Sequence, residues 1–467
     1  MKNLKIALSH LFFQNGKNFI FVTDTQSLYE LDEDAYAVLK AIHDTEDKLV
    51  PPDAFDEETE EELLACHVLV DADDIREDRR RVPEDFVPQI RVGNVLLQIA
   101  NDCNLNCIYC YGSGGSYGRK REMMSWDTAK KAIDYMVEHC ADQERLLVTF
   151  FGGEPLMNFP LIKQITAYCD EIRAKTGKKF SYSMTTNGTI MNDEILDYIK
   201  RYRISTMISM DGPKSIQDSY RCYENGCGSF DKIVPNIEKL KKVRGGHLTV
   251  RSTVCRPDMD MCKIRRELLA LGFTNVVMSP VDTDPDSPLF VGGEYSKDLI
   301  ESYRKLADEL VEEAKKTGRI DNILFSKAVE SIYNRTQKIR SCTAGRSGFA
   351  VGSNGLIYPC QRFMGMEEYA VGDVDSGIDP EKIKVYFHAT VVEKESCPDC
   401  WAKYLCGAGC VHTAVSQTGD PMKAPLDYCE TYRTIYEIGL YIYSELKACD
   451  DSFFDKLFKK EEKAPVC

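Results

Sequence analysis

The sequence predicts an α/β protein: a partial (β/α)6 barrel of the TIM type, preceded by a small winged-helix-like domain and followed by a cysteine-rich domain. Three observations point there. Strand-like and helix-like segments alternate through residues 93–320, the first 75 residues read as short strands with two helices, and seven of the 19 cysteines fall within residues 341–430.

In the front part, residues 4–13 and 18–23 are strand-like, and Asn15-Gly16 between them is a hairpin signal, because both residues tolerate positive φ. Residues 27–31 form a third short strand. Leu31, Ala35, Val38, Leu39 and Ile42 then repeat at helical spacing, Pro51 and Pro52 break the chain, and residues 56–66 form a second helix, acidic on one face. Residues 68–70 close the unit as a strand. Three strands with helices make a winged-helix-like module, and its Glu-rich second helix argues against DNA. Charged residues 72–92, with Arg79, Arg80 and Arg81, read as a linker.

The barrel strands are predicted at 95–100, 146–151, 181–186, 206–210, 248–254 and 276–280, with helices at 125–139, 161–175, 193–202, 230–243 and 262–271. Six units imply an incomplete barrel. Residues 296–317 form a long helix, followed by another to about residue 337. Beyond the cysteine-rich part, 432–447 reads as a helix and 450–467 as a charged tail, where the final Cys467 is incidental.

Composition narrows the function. Hydrophobic and charged contents of 43% and 28% are those of an ordinary globular chain. A net charge of −15 argues against nucleic acid, which needs a basic face. No apolar run is long enough to span a membrane, and the N-terminal segment, broken by His10, Gln14, Asn15 and Gly16, is not a signal peptide. Ten cysteines stand in metal-type spacings and nine are scattered, which suits a reducing cytoplasm. Scattered ones such as Cys66, Cys140 and Cys169 lie in apolar helical patterns, as small buried hydrophobes.

The chemistry is expected at strand ends, where α/β folds keep it. Cys103, Cys107 and Cys110, spaced C-x3-C-x2-C with Tyr109 before the third, follow the first barrel strand. Three thiolates leave one iron of a four-iron cube open to a chelating ligand. Gly152, Gly153, Glu154 and Pro155 follow the second strand, where glycines allow close backbone approach and Glu154 supplies a carboxylate. Asn187 lies in a hydroxyl- and amide-rich turn after the third strand, which fits either ligand binding or a simple turn. Ser209, Asp211 and, shortly beyond, Arg221 follow the fourth; Val281 follows the sixth. In the C-terminal domain Cys342, Gly355 and Cys360 fit C-x12-G-x4-C, and Cys397, Cys400, Cys406, Cys410 and Cys429 follow. Part of a zinc site is the other use of Cys397 and Cys400.

The first cysteine motif and its context resemble the radical S-adenosylmethionine (SAM) superfamily. The seven later cysteines resemble the SPASM extension of that superfamily. The whole resembles thioether-forming (sactipeptide and ranthipeptide) maturases of ribosomal peptides, with an N-terminal peptide-recognition element. The resemblance implies a SAM-binding 4Fe–4S cluster on Cys103, Cys107 and Cys110. The Gly152–Pro155 motif would take the SAM ammonium, Ser209 the ribose, Arg221 the carboxylate and Val281 the adenine, with Tyr109, Asn187 and Asp211 in the same cofactor-binding set.

It also implies two auxiliary 4Fe–4S clusters, the outer on Cys397, Cys400, Cys406 and Cys429, the inner on Cys342, Cys360 and Cys410. The inner set is one ligand short, which leaves either an iron open to a substrate thiolate or a place for a distant spare such as Cys222, Cys227 or Cys449. Sulfatase maturases carry an Asp base directly after the second cysteine of this set; here Gln361 stands there, and no general base is identified. The implied partners are a precursor peptide with leader and Cys-containing core, and an electron donor such as ferredoxin or flavodoxin. Carbon–carbon crosslinking and formylglycine formation are the alternatives, and a non-catalytic electron carrier is a third. The implied division is a winged-helix-like leader-recognition domain (1–75), linker (76–92), barrel (93–320), bridging helix (321–340), SPASM iron–sulfur domain (341–430), and C-terminal helix and tail (431–467).

Overall fold

The computed structural model describes residues 3–73, 80–284 and 286–458. Part of the expected linker, including Arg79, and the end of the tail with Cys467 lie outside the described residues.

The front of the chain holds β1 (Leu4–Ile6), β2 (Ser9–Gln14), β3 (Lys17–Val22), β4 (Ser27–Leu31), α1 (Glu33–His43), α2 (Glu57–Ala65) and β5 (Leu69–Asp71). The single run expected at 4–13 is two strands in two sheets. β1 pairs antiparallel with β5, whereas β2, β3 and β4 form a separate sheet in that order. The break lies where Ile6 N–H donates to Lys48 and Ala7 N–H to Val68, which pulls the chain off the β2 line. The hairpin is as the sequence predicts, with Gln14 opposite Lys17 and both Asn15 (φ 48°) and Gly16 (φ 77°) left-handed. Asp32 and Asp56 cap the two helices.

The unbroken apolar run of β3 reflects burial on both faces. Ile20 and Val22 pack with Leu39, Ile42 and Leu63 of this module. Phe19 and Phe21 pack on the other side against Ile332, Leu405, Leu440 and Trp401, far along the chain. His10 stacks on Trp401 with ring centroids 4.0 Å apart and shares a 2.8 Å contact with Glu437. The front module is therefore fastened to the C-terminal part.

The central sheet is built from β6 (Asn94–Asn101), the short β7 (Glu122–Met123), α3 (Trp126–Glu138), β8 (Arg145–Gly152), α4 (Phe159–Thr176), β9 (Lys179–Thr186), α5 (Asp193–Arg201), β10 (Ser205–Ser209), α6 (Lys214–Tyr220), α7 (Phe230–Val243), β11 (Thr249–Val254), α8 (Met261–Ala270) and β12 (Asn275–Pro280). Strands β6, β8, β9, β10, β11 and β12 are parallel neighbours, and helices cover their buried side chains. Burial alternates along the strands. Tyr182, Met184, Ile208 and Val250 are buried, while Ser183, Thr185, Ser209, Arg251 and Thr253 between them are partly open. The inner face is thus polar and accessible, as a ligand chamber requires.

α9 (Ser296–Thr317) and α10 (Ile323–Tyr333) follow, the second ending short of residue 337. One feature was not legible as a strand: β13 (Gly348–Val351) adds in parallel to β6, and β14 (Leu356–Tyr358), β15 (Gly372–Asp373) and β16 (Gly377–Ile378) continue antiparallel. The central sheet thus runs on into the cysteine-rich part. There follow α11 (Pro380–His388), α12 (Lys403–Cys406), α13 (Val411–Thr418), α14 (Leu426–Cys449) and α15 (Phe453–Phe458). α14 starts six residues before the expected 432, just after Pro425, and so includes Cys429. The expected tail is packed as far as residue 458: Phe453 and Phe454 are buried, and Phe454 stacks on Tyr443 at 4.7 Å. Among the described residues no helix is long and apolar enough to cross a membrane.

Candidate functional site

The loop after β6 carries Cys103, Cys107 and Cys110, all partly buried. It is held on one side by segment 220–222, whose Tyr220 and Cys222 carbonyls accept from Ile108 N and Asn106 N at 3.0 and 2.7 Å. On the other side it meets the turn after β8. Burial pushes the Cys103 thiol up to about 12, so metal binding there must displace a proton.

Gly152 and Gly153 prove to be packing positions. A Cβ on Gly152 would lie 2.2 Å from the Ala100 carbonyl oxygen, and one on Gly153 2.2 Å from that of Asp102. Both glycines let the β8 turn close on the cysteine loop.

Glu154 is fully buried. Its Oε1 accepts from Leu156 N (3.0 Å) and Thr186 Oγ1 (2.8 Å), and Oε2 from Asn187 N (2.7 Å). One acceptor position of about four remains. Burial pushes this carboxyl up to about 7, against the pull of those hydrogen bonds. Asn187 turns to the cysteine loop. Its Nδ2 donates to Asn104 Oδ1 (2.9 Å) and reaches Cys103 Sγ (3.7 Å), while Oδ1 accepts from Thr189.

Arg221 is buried beside Cys107. Its Nη1 donates to the Tyr109 hydroxyl at 2.6 Å, and Tyr109 donates in turn to Asp211. Asp211 Oδ1 accepts from Thr253 N at 2.9 Å. Burial raises the Asp211 carboxyl and Arg221 opposes it. The Arg221 Nε has no partner among the described residues. A buried guanidinium with spare donors fits a carboxylate, which takes two parallel N–H bonds. Ser209 lies on the inner face, in register with Arg251. Val281 is buried at the end of β12, its N–H donating to Val254 at 2.9 Å.

The later cysteines separate into two neighbourhoods. Cys360 lies within electrostatic reach of Cys410 and Cys342. Cys406 lies within reach of Cys397, Cys429 and Cys400, and these line one cavity of about 620 Å³, counting the solvent at its mouth. Cys410 reaches that lining from the other set. Among the described residues no three His, Cys, Asp or Glu side chains converge on the position of a single metal ion, as a tetrahedral zinc site demands. Cys222 is beside Cys107, Cys227 is exposed, and Cys449 is twenty residues along α14 from Cys429, about 30 Å at helical rise.

Several residues here carried no local signal. Arg362 pairs with Asp282 and lies 4.9 Å over the Tyr111 ring, its Nε buried without a partner. His412 sits against Phe363, and burial then Arg362 lower it to about 4. Lys394 lies buried in the lining of the four-cysteine cavity. Arg362 and His412 are brought in from separate segments, so spacing could not find them.

Residues 97–271 match the family model of the Radical SAM superfamily. An uncharacterized protein of Archaeoglobus fulgidus is 28% identical over 361 residues, covering 74% of this chain and 81% of its own length. The radical SAM cyclopropyl synthase TigE of Paramaledivibacter caminithermalis is 22% identical, over 73% of this chain and 72% of its own. A cysteine-type anaerobic sulfatase-maturating enzyme of Clostridium novyi is 25% identical, over 72% and 92%. Among solved structures, native anSMEcpe with bound AdoMet superposes with a TM-score of 0.65 at 18% identity, over 77% of this chain and 99% of that one. Streptococcus suis SuiB bound to S-adenosylmethionine does so at 0.51 and 13%, over 90% and 98%.

Proposed function

We propose, from the match of residues 97–271 to the Radical SAM superfamily model, that the chain is a maturase of a ribosomally made, Cys-containing precursor peptide. On this reading it joins a cysteine sulfur to a peptide carbon as a thioether. The observation that supports the reading is the division of the later thiols into a set of four and a set of three, Cys342, Cys360 and Cys410, with no further cysteine among the charged groups that act on Cys360 among the described residues. Three protein thiolates leave one position of a cube for a substrate thiolate.

When bound, SAM and 4Fe–4S groups supply a 5′-deoxyadenosyl radical and one-electron storage. The chain's own residues do the rest. Arg221 offers spare donors to a carboxylate, with Tyr109 and Asp211 fixing its position. Ser209 offers a hydroxyl from the inner face, and Glu154 one remaining acceptor to an ammonium. In the net reaction SAM, a peptide C–H and a thiol give methionine, 5′-deoxyadenosine, a thioether and a proton.

The front module is read as the leader-binding domain. β2 and β4 are the edges of its sheet, and an extended leader can add a strand to either. The structure of SuiB bound to precursor peptide SuiA, with a TM-score of 0.50 over 90% of this chain, is consistent with that use. Ferredoxin or flavodoxin is the proposed electron donor.

The sulfatase-maturating relatives favour formylglycine formation as a second reading. Gln361 after Cys360 weighs against it, because an amide takes no proton at neutral pH. The test is anaerobic turnover of reconstituted enzyme with a leader-bearing, Cys-rich peptide. The expected products are 5′-deoxyadenosine and a peptide lacking two hydrogens and one free thiol per crosslink. Turnover that leaves every thiol free sinks the thioether reading.

A further inference from the structure

Lys394 is the unusual cation of this chain. Its side chain is 1% exposed. Its Nζ donates to the Ala408 carbonyl oxygen at 3.1 Å, and among the described residues it has no carboxylate partner. Two of three ammonium donors are left over. Arg265, also fully buried, is handled differently: it is met by Glu313 and Asp321. An isolated ammonium away from water is costly, so buried charges are paired. Lys394 therefore stands in the fold as half of a pair.

The other half is indicated by the cavity. Lys394 lines it together with Cys397, Cys400, Cys406 and Cys429, and Lys403 and Arg433 also line it, with no Asp or Glu. Four cysteine thiolates around a 4Fe–4S group carry net negative charge, and one-electron reduction adds one more. The donor set and the cations are matched in sign, and the position of Lys394 is fixed by the turn in which Cys397 N donates to the Lys394 carbonyl at 3.1 Å.

We propose that Lys394 is the built-in counter-charge of the group held by Cys397, Cys400, Cys406 and Cys429, and that its ammonium raises that group's reduction potential. This rests on the iron–sulfur reading of the four cysteines given above. A positive charge in a dry site stabilises the more negative, reduced state. A 4Fe–4S group held there would supply one-electron storage, and Lys394 would favour its reduced state.

The test is a redox titration followed by EPR on reconstituted full-length protein, with the outer signal identified as the one lost in Cys400→Ala. Lys394→Met and Lys394→Gln are expected to weaken reduction of that signal at least tenfold at fixed ambient potential, about 59 mV for one electron. Lys394→Arg, which keeps the charge, is expected to stay within threefold of wild type. If Met and Gln variants fail to hold iron while the Arg variant holds the wild-type amount, the charge is required for assembly and the assignment stands. An unchanged titration in the Met variant, or an equal shift in the Arg variant, overturns it. Cys400→Ala losing no iron would instead remove the cluster reading itself.

Discussion

Asn187 reaches across from the end of β9 to Cys103, its Nδ2 at 3.7 Å from the thiol Sγ. Leu105 N also donates to that sulfur, at 3.4 Å. N–H groups aimed at a metal-ligating thiolate stabilise its charge and fix its direction, and losing such a partner costs about 10–100-fold in metal affinity or activity. Asn187→Ala is expected to keep most of its iron but to cleave SAM about 10–100-fold more slowly. Iron content and 5′-deoxyadenosine, measured on one preparation, check both halves. A rate within twofold of wild type would make the contact incidental.

Gly153→Ala probes the closure of the same loop. The new Cβ would meet the Asp102 carbonyl oxygen at 2.2 Å and the Gly115 Cα at 2.8 Å, both backbone atoms with little room to yield. The cysteine loop must then lift away from β8. The variant is expected to fold, because the contact lies at a loop, and to lose most of the iron on Cys103, Cys107 and Cys110. Retention of the SAM-responsive EPR signal at wild-type intensity would contradict this.

What was legible in the sequence was local. The Asn15-Gly16 hairpin and the six parallel strands, with their motifs at the C-terminal ends, follow from periodicity and turn residues. The unread parts were made by distant pairing. Nothing in Gly348–Val351 says that it will extend the sheet beside β6, and nothing marks Lys394, among the charges before Cys397, as a buried member of the four-cysteine cavity lining. Residues 453–458 did carry a signal, with apolar Phe453, Phe454, Leu457 and Phe458 at helical spacing. The neighbouring charges hid it.

Glu154 makes a prediction about pH. Its carboxyl is raised from 4.5 to about 7, mainly by burial. Between those values the unfolded chain has lost a proton that the folded chain keeps, so stability falls as pH rises. Below about 4.5 both states are protonated and above 7 both are ionised, so the loss is confined to that window. It amounts to about 3 kcal/mol. Denaturant titrations of cluster-free protein should show this slope, and Glu154→Gln should remove it while adding a constant penalty where its amide N–H₂ faces an N–H donor. A variant with the wild-type slope would show that another group titrates.

Arg221 should separate ligand binding from the integrity of the loop. Its Nη1 holds Tyr109 at 2.6 Å and its buried Nε has no partner among the described residues. Lysine keeps the charge but loses the planar fork. Arg221→Lys is expected to retain iron and to bind SAM about 10–100-fold more weakly, the range for one charged hydrogen bond. Equilibrium dialysis with labelled SAM measures it. Unaltered affinity would move the SAM carboxylate to another residue, and Arg251, in register with Ser209 on the inner face, is the next to test.

The set of three cysteines makes the sharpest claim, because on the proposed reading its fourth ligand comes from the substrate. Cys222 is beside Cys107, Cys227 is exposed and Cys449 is at the far end of α14. Cys227→Ser and Cys449→Ser should therefore leave the iron content and the auxiliary EPR signals unchanged. Cys222→Ser should affect only the first cluster. Against that background, a Cys-containing peptide should change one auxiliary signal, the same peptide alkylated at sulfur should not, and Cys360→Ala should abolish the response. A fourth protein thiolate would block the added sulfur. A loss of auxiliary iron in any of the three serine variants, or an equal response to the alkylated peptide, would close the open position and with it the route from a bound thiol to a thioether.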